Sequence, residues 1–316
     1  MDRPTDFATL TLAANPTNIA LAIGLLRDGG MAAVPTETVY GLAARADNAA
    51  AVARVYAAKG RPDFNPLIVH VADAAQAAEM VKIDARARSL MERFWPGPLT
   101  LVLPVRSNAR IAGLVRAGLP TLAVRCPAHP VMQAIIAGVG PVAAPSANAS
   151  GRLSPTRAEH VLASLDGRIP LILDGGPCAA GVESSIVAVT TNGITLLRPG
   201  AIPAEQLGIH SGPTGSAITA PGQLPSHYAP RQPVRLDARS ASRHEFHLGF
   251  GGIRGDLSLS AAGDVTEAAA RLFELLHEAQ ESGRSGIAVA PVPMHGLGAA
   301  INDRLRRAAA ARAPVF

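Results

Sequence analysis

Cysteine is almost absent from this chain: Cys126 and Cys178 are the only two in 316 residues. They stand far apart and belong to no Cys-x-x-Cys or Cys/His spacing, which argues against a zinc finger or a disulfide framework and for a reducing compartment. Aromatic residues make up 3% of the composition, so the stacking platforms of nucleic-acid binders are scarce. No uninterrupted apolar run reaches the roughly 20 residues a membrane helix needs, and Met1-Asp2-Arg3-Pro4 opens the chain without an apolar signal core. A soluble, cytoplasmic protein with no membrane contact is the expectation. The standard nucleotide signatures are missing too: there is neither a Gly-x-x-x-x-Gly-Lys-Ser/Thr loop nor a Gly-x-Gly-x-x-Gly fingerprint. No Ser/His/Asp or Cys/His arrangement supports a covalent nucleophile. Lysine is rare as well, with Lys59 and Lys82 the only two among otherwise arginine cations.

What is present points to a two-part globular chain. Hydrophobic residues make up 48%, enough for one large domain and a smaller one, each with a core. The formal charge of +5 favours anionic partners, but without a dense basic run it suits a nucleotide as well as a nucleic acid. Up to about Leu207, short apolar runs alternate with Ala-rich helical stretches: Leu99 to Leu103, Thr121 to Val124, Ile169 to Leu173, Ile186 to Val189 and Ile194 to Leu197. This reads as an α/β domain over 1–208. A segment rich in Pro, Gly and Ser over 209–233 reads as a linker. Residues 234–316 read as a small α/β unit: strands at Phe246 to Phe250 and Ile287 to Ala290, helices from about Val265 to Ala279 and from about Gly298 to Ala311. Asp264 with Glu267 three residues on reads as a capping box.

Three clusters carry chemistry. The first runs Pro35-Thr36-Glu37-Thr38-Val39-Tyr40-Gly41, then Lys59-Gly60-Arg61-Pro62, then Asn65-Pro66-Leu67-Ile68-Val69-His70. An apolar strand delivers a hydroxyl-rich and carboxylate-bearing turn, and the helix that follows ends in a Lys-x-Arg pair. A compact ammonium beside a planar guanidinium is a way to hold a polyphosphate. The second is Pro145-Ser146-Ala147-Asn148-Ala149-Ser150-Gly151, followed by Ser154-Pro155, which reads as an N-cap and first helical residue. The third runs from Asp174-Gly175-Gly176 through Glu183-Ser184-Ser185-Ile186-Val187 to Arg198-Pro199-Gly200. Singly, these signals are weak. His70 reads as a core histidine, Arg198 as a surface residue and Ser184 as a turn residue, while Arg304, Arg306 and Arg307 read as a solvated helix face.

In order and spacing, these segments resemble the threonylcarbamoyl-AMP synthase family, whose catalytic module is the YrdC-type domain. Ser226-His227-Tyr228-Ala229-Pro230 and the terminal Gly296 to Leu305 stretch resemble its two-domain form. The resemblance implies a YrdC-like twisted mixed sheet with flanking helices, plus a smaller Rossmann-like C-terminal α/β domain. It implies synthesis of threonylcarbamoyl-AMP and pyrophosphate from L-threonine, bicarbonate and ATP, for modification of tRNA next to the anticodon. It carries Lys59, Arg61, Ser146 and Asn148 over as the residues that neutralise and position the nucleotide. Thr38, His70, Arg125 and Ser184 match the threonine side, with Arg125 pairing with the carboxylate. Asn65, Thr121, Ser154, Arg198, His227 and Tyr228 match ATP contacts, the last two on a linker expected to act as a lid. Mg2+ is expected to arrive with the ATP phosphates, without a protein metal site. The implied partners are the transferase machinery for tRNA and a weak contact with tRNA or double-stranded RNA. Two alternatives stay open at this point: an RNA-binding protein of the YrdC fold, and a related carbamoyl-adenylate transferase. The latter usually carries acylphosphatase-like and zinc-finger modules, for which two cysteines are too few.

Overall fold

Apolar runs bounded by turn residues become the strands of one ten-stranded mixed sheet in a computed structural model that describes residues 8–190, 193–209, 220, 222 and 226–310. Most of the expected linker lies outside the described residues. The first unit begins β1 (Leu10–Ala13), α1 (Pro16–Arg27), β2 (Ala32–Val34), β3 (Gly41–Arg45), α2 (Ala49–Lys59) and β4 (Ile68–His70). It continues with α3 (Ala74–Ala78), α4 (Ala85–Phe94), β5 (Leu99–Pro104), a 3-10 turn at Gly113–Arg116, β6 (Thr121–Arg125), α5 (Pro130–Val139) and β7 (Val142–Ala143). It ends with α6 (Ala158–Leu165), β8 (Leu171–Asp174), β9 (Ser185–Thr190) and β10 (Gly193–Arg198). The strand order is β1-β8-β2-β3-β7-β4-β6-β5-β9-β10.

The two halves of this sheet are covered differently, and that difference makes the site. Around β8, β2 and β3 both faces carry helices. Leu26 of α1 and Ile135 of α5 pack on Val34 and Leu173, while Val55 of α2 and Leu165 of α6 pack on Leu42 and Ile172 from the other side. In the half made by β4, β6, β5 and β9, one face packs on Tyr56, Ala77 and Leu90 through Val69, Leu101, Val124 and Val187. Among the described residues, the opposite face carries the small cluster Ile68, Val102, Ala123, Ile186, Leu197 and Ala220, which contains no helix residue. Side chains alternate along a strand, so this open face collects every second residue of β4, β6, β5 and β9.

The second unit is a four-stranded parallel sheet in the order β11-β14-β12-β13, built from β11 (Val234–Arg235), β12 (Glu245–Gly249), β13 (Leu257–Ser258) and β14 (Gly286–Val289). Two helices, α7 (Val265–Glu281) and α8 (Gly298–Ala309), pack on it through Leu272, Phe273, Leu276, Ile301 and Leu305. Val39, Leu153, Val182 and Tyr228 join the same core from outside this unit, so the two sheets share buried apolar contacts.

Three local expectations change. Ser154-Pro155 does not start a helix: α6 begins at Ala158 behind Arg157, and Ser154 is buried with its hydroxyl on Glu183. Glu267 does not close a capping box on Asp264; instead Ser260 accepts from the Asp264 N–H and donates to Glu267. Of the α8 arginines expected on a solvated face, Arg306 is exposed and Arg307 half-buried, but Arg304 is buried. Among the described residues, no helix is long and apolar enough to cross a membrane.

Candidate active site

The open sheet face forms the floor. Register pairs Ile68 with Ala123 and His70 with Arg125, so alternation puts Thr121, Ala123 and Arg125 on the same face as Ile68 and His70. Thr121 therefore stands at the start of the strand that ends in Arg125, on the floor but at its far end.

One end of the floor is built to meet an anion. α2 stops at Gly60, which takes the left-handed conformation (φ 59°) that turns the chain from Lys59 back toward Arg61. Lys59 is buried, and its Nζ donates to the Ser146 carbonyl at 2.5 Å and also to the Asn148 carbonyl. Burial, then the neighbouring Arg61, pushes its pKa well down. Arg61 donates to the Asn65 and Pro66 carbonyls at 3.1 and 2.7 Å, and burial draws its pKa down to about 10. Arg198 grips Ser184 from the side, with Nη2 at 2.8 Å from the carbonyl and 3.1 Å from Oγ. Gly200 permits this close approach, because a Cβ there would collide with the backbone of Ser184 and Ser185. Lys59 and Arg198 are buried and Arg61 is half-buried, with the Glu183 carboxylate near Arg198, and an anion bound in this corner would offset the cost of taking these charges out of water.

At the other end Arg125 donates to Thr38 Oγ1 at 2.9 Å and to the Gly97 carbonyl at 3.2 Å. Its Nη2 lies 2.6 Å from Glu37 Oε1, an ionic contact without the alignment of a hydrogen bond. Burial, the largest single effect, would raise the Glu37 pKa, but the Arg125 charge together with hydrogen bonds from Arg125 and the backbone outweighs it and holds the carboxyl below its usual range. Thr36 braces Thr38 at 2.8 Å, and Ser184, which Arg198 also holds and which thus belongs to neither end alone, meets Thr100 at 2.8 Å. Burial, then Arg125, pushes the His70 pKa well down, so the imidazole is neutral.

The strap residues His227 and Tyr228 line the same cavity as Arg61 and Arg125. His227 and Tyr228 lie over the floor, their rings 4.0 Å apart edge to face. The cavity beneath them is about 50 Å³, room for a few waters only. Thr38, Arg61, His70, Arg125, Ser146, Ser184, Arg198, His227 and Tyr228 line it. Lys59, Asn65, Asn148, Ser154 and Thr121 do not, although Lys59 reaches Ser146 and Ser154 reaches the lining residue Glu183. Both polar side-chain atoms of Asn65, Oδ1 of Asn148, and the Nδ1 atoms of His70 and His227 are buried with no partner among the described residues. Of these residues His70 and His227 line the cavity, where a bound ligand could complete their hydrogen bonding. Among the described residues, no three His, Cys, Asp or Glu side chains gather to hold a metal ion.

Two residues were missed by sequence reasoning. Glu183 stood inside a noted cluster without a role, yet it lines the cavity and is buried. Arg304, assigned to a solvated face, reaches it at 2.7 Å.

A cationic cavity on the open face of a mixed sheet, roofed by a strap next to a second parallel sheet, defines a two-domain α/β protein that handles an anionic substrate. The Sua5/YciO/YrdC family profile, described as "Telomere recombination", matches residues 24–200, and the profile for the threonylcarbamoyl-AMP synthase C-terminal domain matches 189–310. Threonylcarbamoyl-AMP synthase of Bacillus subtilis is 42% identical, over 95% of both chains. That of Pyrococcus abyssi is 38% identical, over 93% of this chain and 94% of its own. The crystal structure of P. abyssi Sua5 complexed with L-threonine superposes with a TM-score of 0.86 at 37% identity, covering 95% of this chain and 98% of that one. The chain belongs to the threonylcarbamoyl-AMP synthase family, in its two-domain form.

Proposed function

We infer that this chain is an L-threonylcarbamoyl-adenylate synthase, using L-threonine, bicarbonate and ATP. The observation that carries this reading is the gathering of Arg61, Arg125 and Arg198 around one cavity, with Lys59 behind them on the lining residue Ser146. One end of the floor suits a polyphosphate. The other offers a guanidinium and a threonine hydroxyl to an amino acid.

In this reading Arg125 holds the threonine carboxylate, with Thr38, His70 and Ser184 around the side chain and amine. Bicarbonate and the amine form a carbamate with loss of water. A carbamate oxygen then attacks the α-phosphorus of ATP, and pyrophosphate leaves. Lys59, Arg61, Ser146 and Asn148 take up the charge that grows on the phosphates, and Asn65, Thr121, Ser154, Arg198, His227 and Tyr228 hold the rest of the nucleotide. No covalent nucleophile is needed, since positioning and charge neutralisation carry the chemistry. Glu183 on the cavity wall and Glu37 beside it are already engaged by arginines, so Mg2+ fits as an ion held on the ATP phosphates, where it supplies further neutralisation.

A cavity of about 50 Å³ admits neither L-threonine nor ATP, so the strap at His227-Tyr228 opens for loading and closes to keep water from the mixed anhydride. We assign 1–208 to catalysis, 209–233 to this lid and 234–316 to an accessory domain. The product serves the cytoplasmic machinery that modifies tRNA.

The test is pyrophosphate release from ATP and Mg2+ with threonine and bicarbonate omitted in turn, while mass spectrometry follows threonylcarbamoyl-adenylate. Release that requires both, with the adduct present, supports the reading. Lys59→Ala is expected to lower turnover about 10²- to 10³-fold, as loss of a preorganised charge-stabilising donor does. ATP binding without adduct formation would overturn the reading.

A further inference from the structure

The last helix of the accessory unit sends one side chain into the wall of the active site. Arg304 of α8 is fully buried, and its Nε donates to Glu183 Oε2 at 2.7 Å. The other oxygen of Glu183 accepts from Ser154 Oγ at 2.5 Å. The guanidinium carbon lies 4.9 Å from the centre of the Tyr228 ring, and Nη1 donates to Asp303 at 2.6 Å. Asp303 is braced in turn by Arg307, whose own carbonyl accepts from the His227 N–H at 3.3 Å. Arg304 does not itself line the cavity, whereas Glu183, His227 and Tyr228 do.

Two features set this apart from ordinary interdomain packing. Tyr228 has φ 59°, a left-handed backbone unusual for a bulky residue, which persists only when its surroundings over-determine it. Arg304 under its ring is one of those surroundings. Glu183, meanwhile, is a buried carboxylate on the wall of a site that receives polyanions. Left alone it would repel ATP or take up a proton, and Arg304 keeps its charge paired and its second oxygen on Ser154.

We propose that Arg304 is a positioning residue for the ATP half of the site. It acts through Glu183, Ser154 and Tyr228, so the accessory domain completes the nucleotide site of the catalytic domain. This rests on the synthase reading above. The interface contains its own control, the partly exposed Arg157–Glu274 pair at 2.6 Å, neither residue of which lines the cavity.

The experiment is steady-state pyrophosphate release by the full-length protein, with calorimetric titration of L-threonine in the absence of ATP. Arg304→Met is expected to raise the KM for ATP at least tenfold while threonine affinity stays within twofold. Arg304→Lys, which keeps the charge but not the planar fork, is expected to fall between Arg304→Met and wild type. Glu274→Gln is expected to leave the KM for ATP within twofold of wild type. The proposal is overturned if folded Arg304→Met keeps the wild-type KM for ATP, or if Glu274→Gln raises it equally. Should Arg304→Met fail to fold, Arg304→Lys decides, and a wild-type KM for ATP there overturns the proposal. Absence of adduct from the wild type itself overturns the synthase reading first, and this proposal with it.

Discussion

Arg125 already has an anion beside it. With Glu37 Oε1 2.6 Å from Nη2 and Thr38 accepting from Nη1, the guanidinium is oriented by two neighbours before any amino acid arrives. A lysine at 125 would supply a point charge without the fork that addresses Thr38, Gly97 and a carboxylate together. Arg125→Lys is therefore expected to raise the KM for threonine about 10- to 100-fold, the equivalent of one charge-assisted hydrogen bond. The KM for ATP should stay within twofold, because the Lys59 and Arg61 end is untouched. Steady-state kinetics with each substrate varied checks this, and equal shifts in both constants would remove the division of the floor into two ends.

At the scale of elements, helix α7 shows how a start signal is met indirectly. Asp264 Oδ1 accepts from the Thr266 N–H at 2.6 Å, as an N-cap does. The N–H of Asp264 itself donates to the buried Ser260, whose hydroxyl donates in turn to Glu267 at 2.5 Å. A serine thus sits inside the loop that a capping box would have closed directly. Asp264→Ala is expected to cost about 1 kcal/mol, and Ser260→Ala a similar amount. Urea denaturation midpoints would test both; an unchanged midpoint for Ser260→Ala would mean that Glu267 caps the helix unaided.

Across the whole molecule, the two sheets meet through more than Arg304. His160 of α6 and His277 of α7 stack face to face, with ring centroids 3.8 Å apart. Arg157 lies beside His160, and Glu281 and Glu274 of α7 face the same junction. Burial, then Arg157, pulls the His160 pKa down to about 4; burial, then His160, pulls His277 to about 3. A free histidine titrates near 6.5, so acid protonates the unfolded chain first. The stability contributed by these neutral rings is complete above about pH 6.5 and is lost as pH falls toward 4, at up to about 1.4 kcal/mol per pH unit for each histidine. The double variant His160→Gln/His277→Gln is expected to show a shallower loss of urea stability between pH 7 and 4.5. Carboxylates contribute the same slope to both proteins, so parallel curves would show that the stack does not carry the acid sensitivity.

By itself the sequence determined the alternation of strands and helices, the two-domain form and the family, because turn residues, caps and apolar runs act over a few neighbours. It also drew Thr38, Arg61, His70, Arg125, Ser146, Ser184 and Arg198 from separate segments into one list, and these residues line one cavity. Ser154 looked like a helix cap because its local pattern is that of one, but its hydroxyl answers to Glu183, 29 residues on. Arg304 looked solvated because its neighbours Arg306 and Arg307 are polar. Whether a charge is wet or buried depends on what covers it, and here the cover is Tyr228 and Glu183, the latter 121 residues away. Only tertiary structure decided that, among the described residues, no helix covers one face of half the sheet, which residues roof it, and that Arg304 of the second unit reaches Glu183 beneath Tyr228. These outcomes are set by packing between distant segments, where local patterning carries no information.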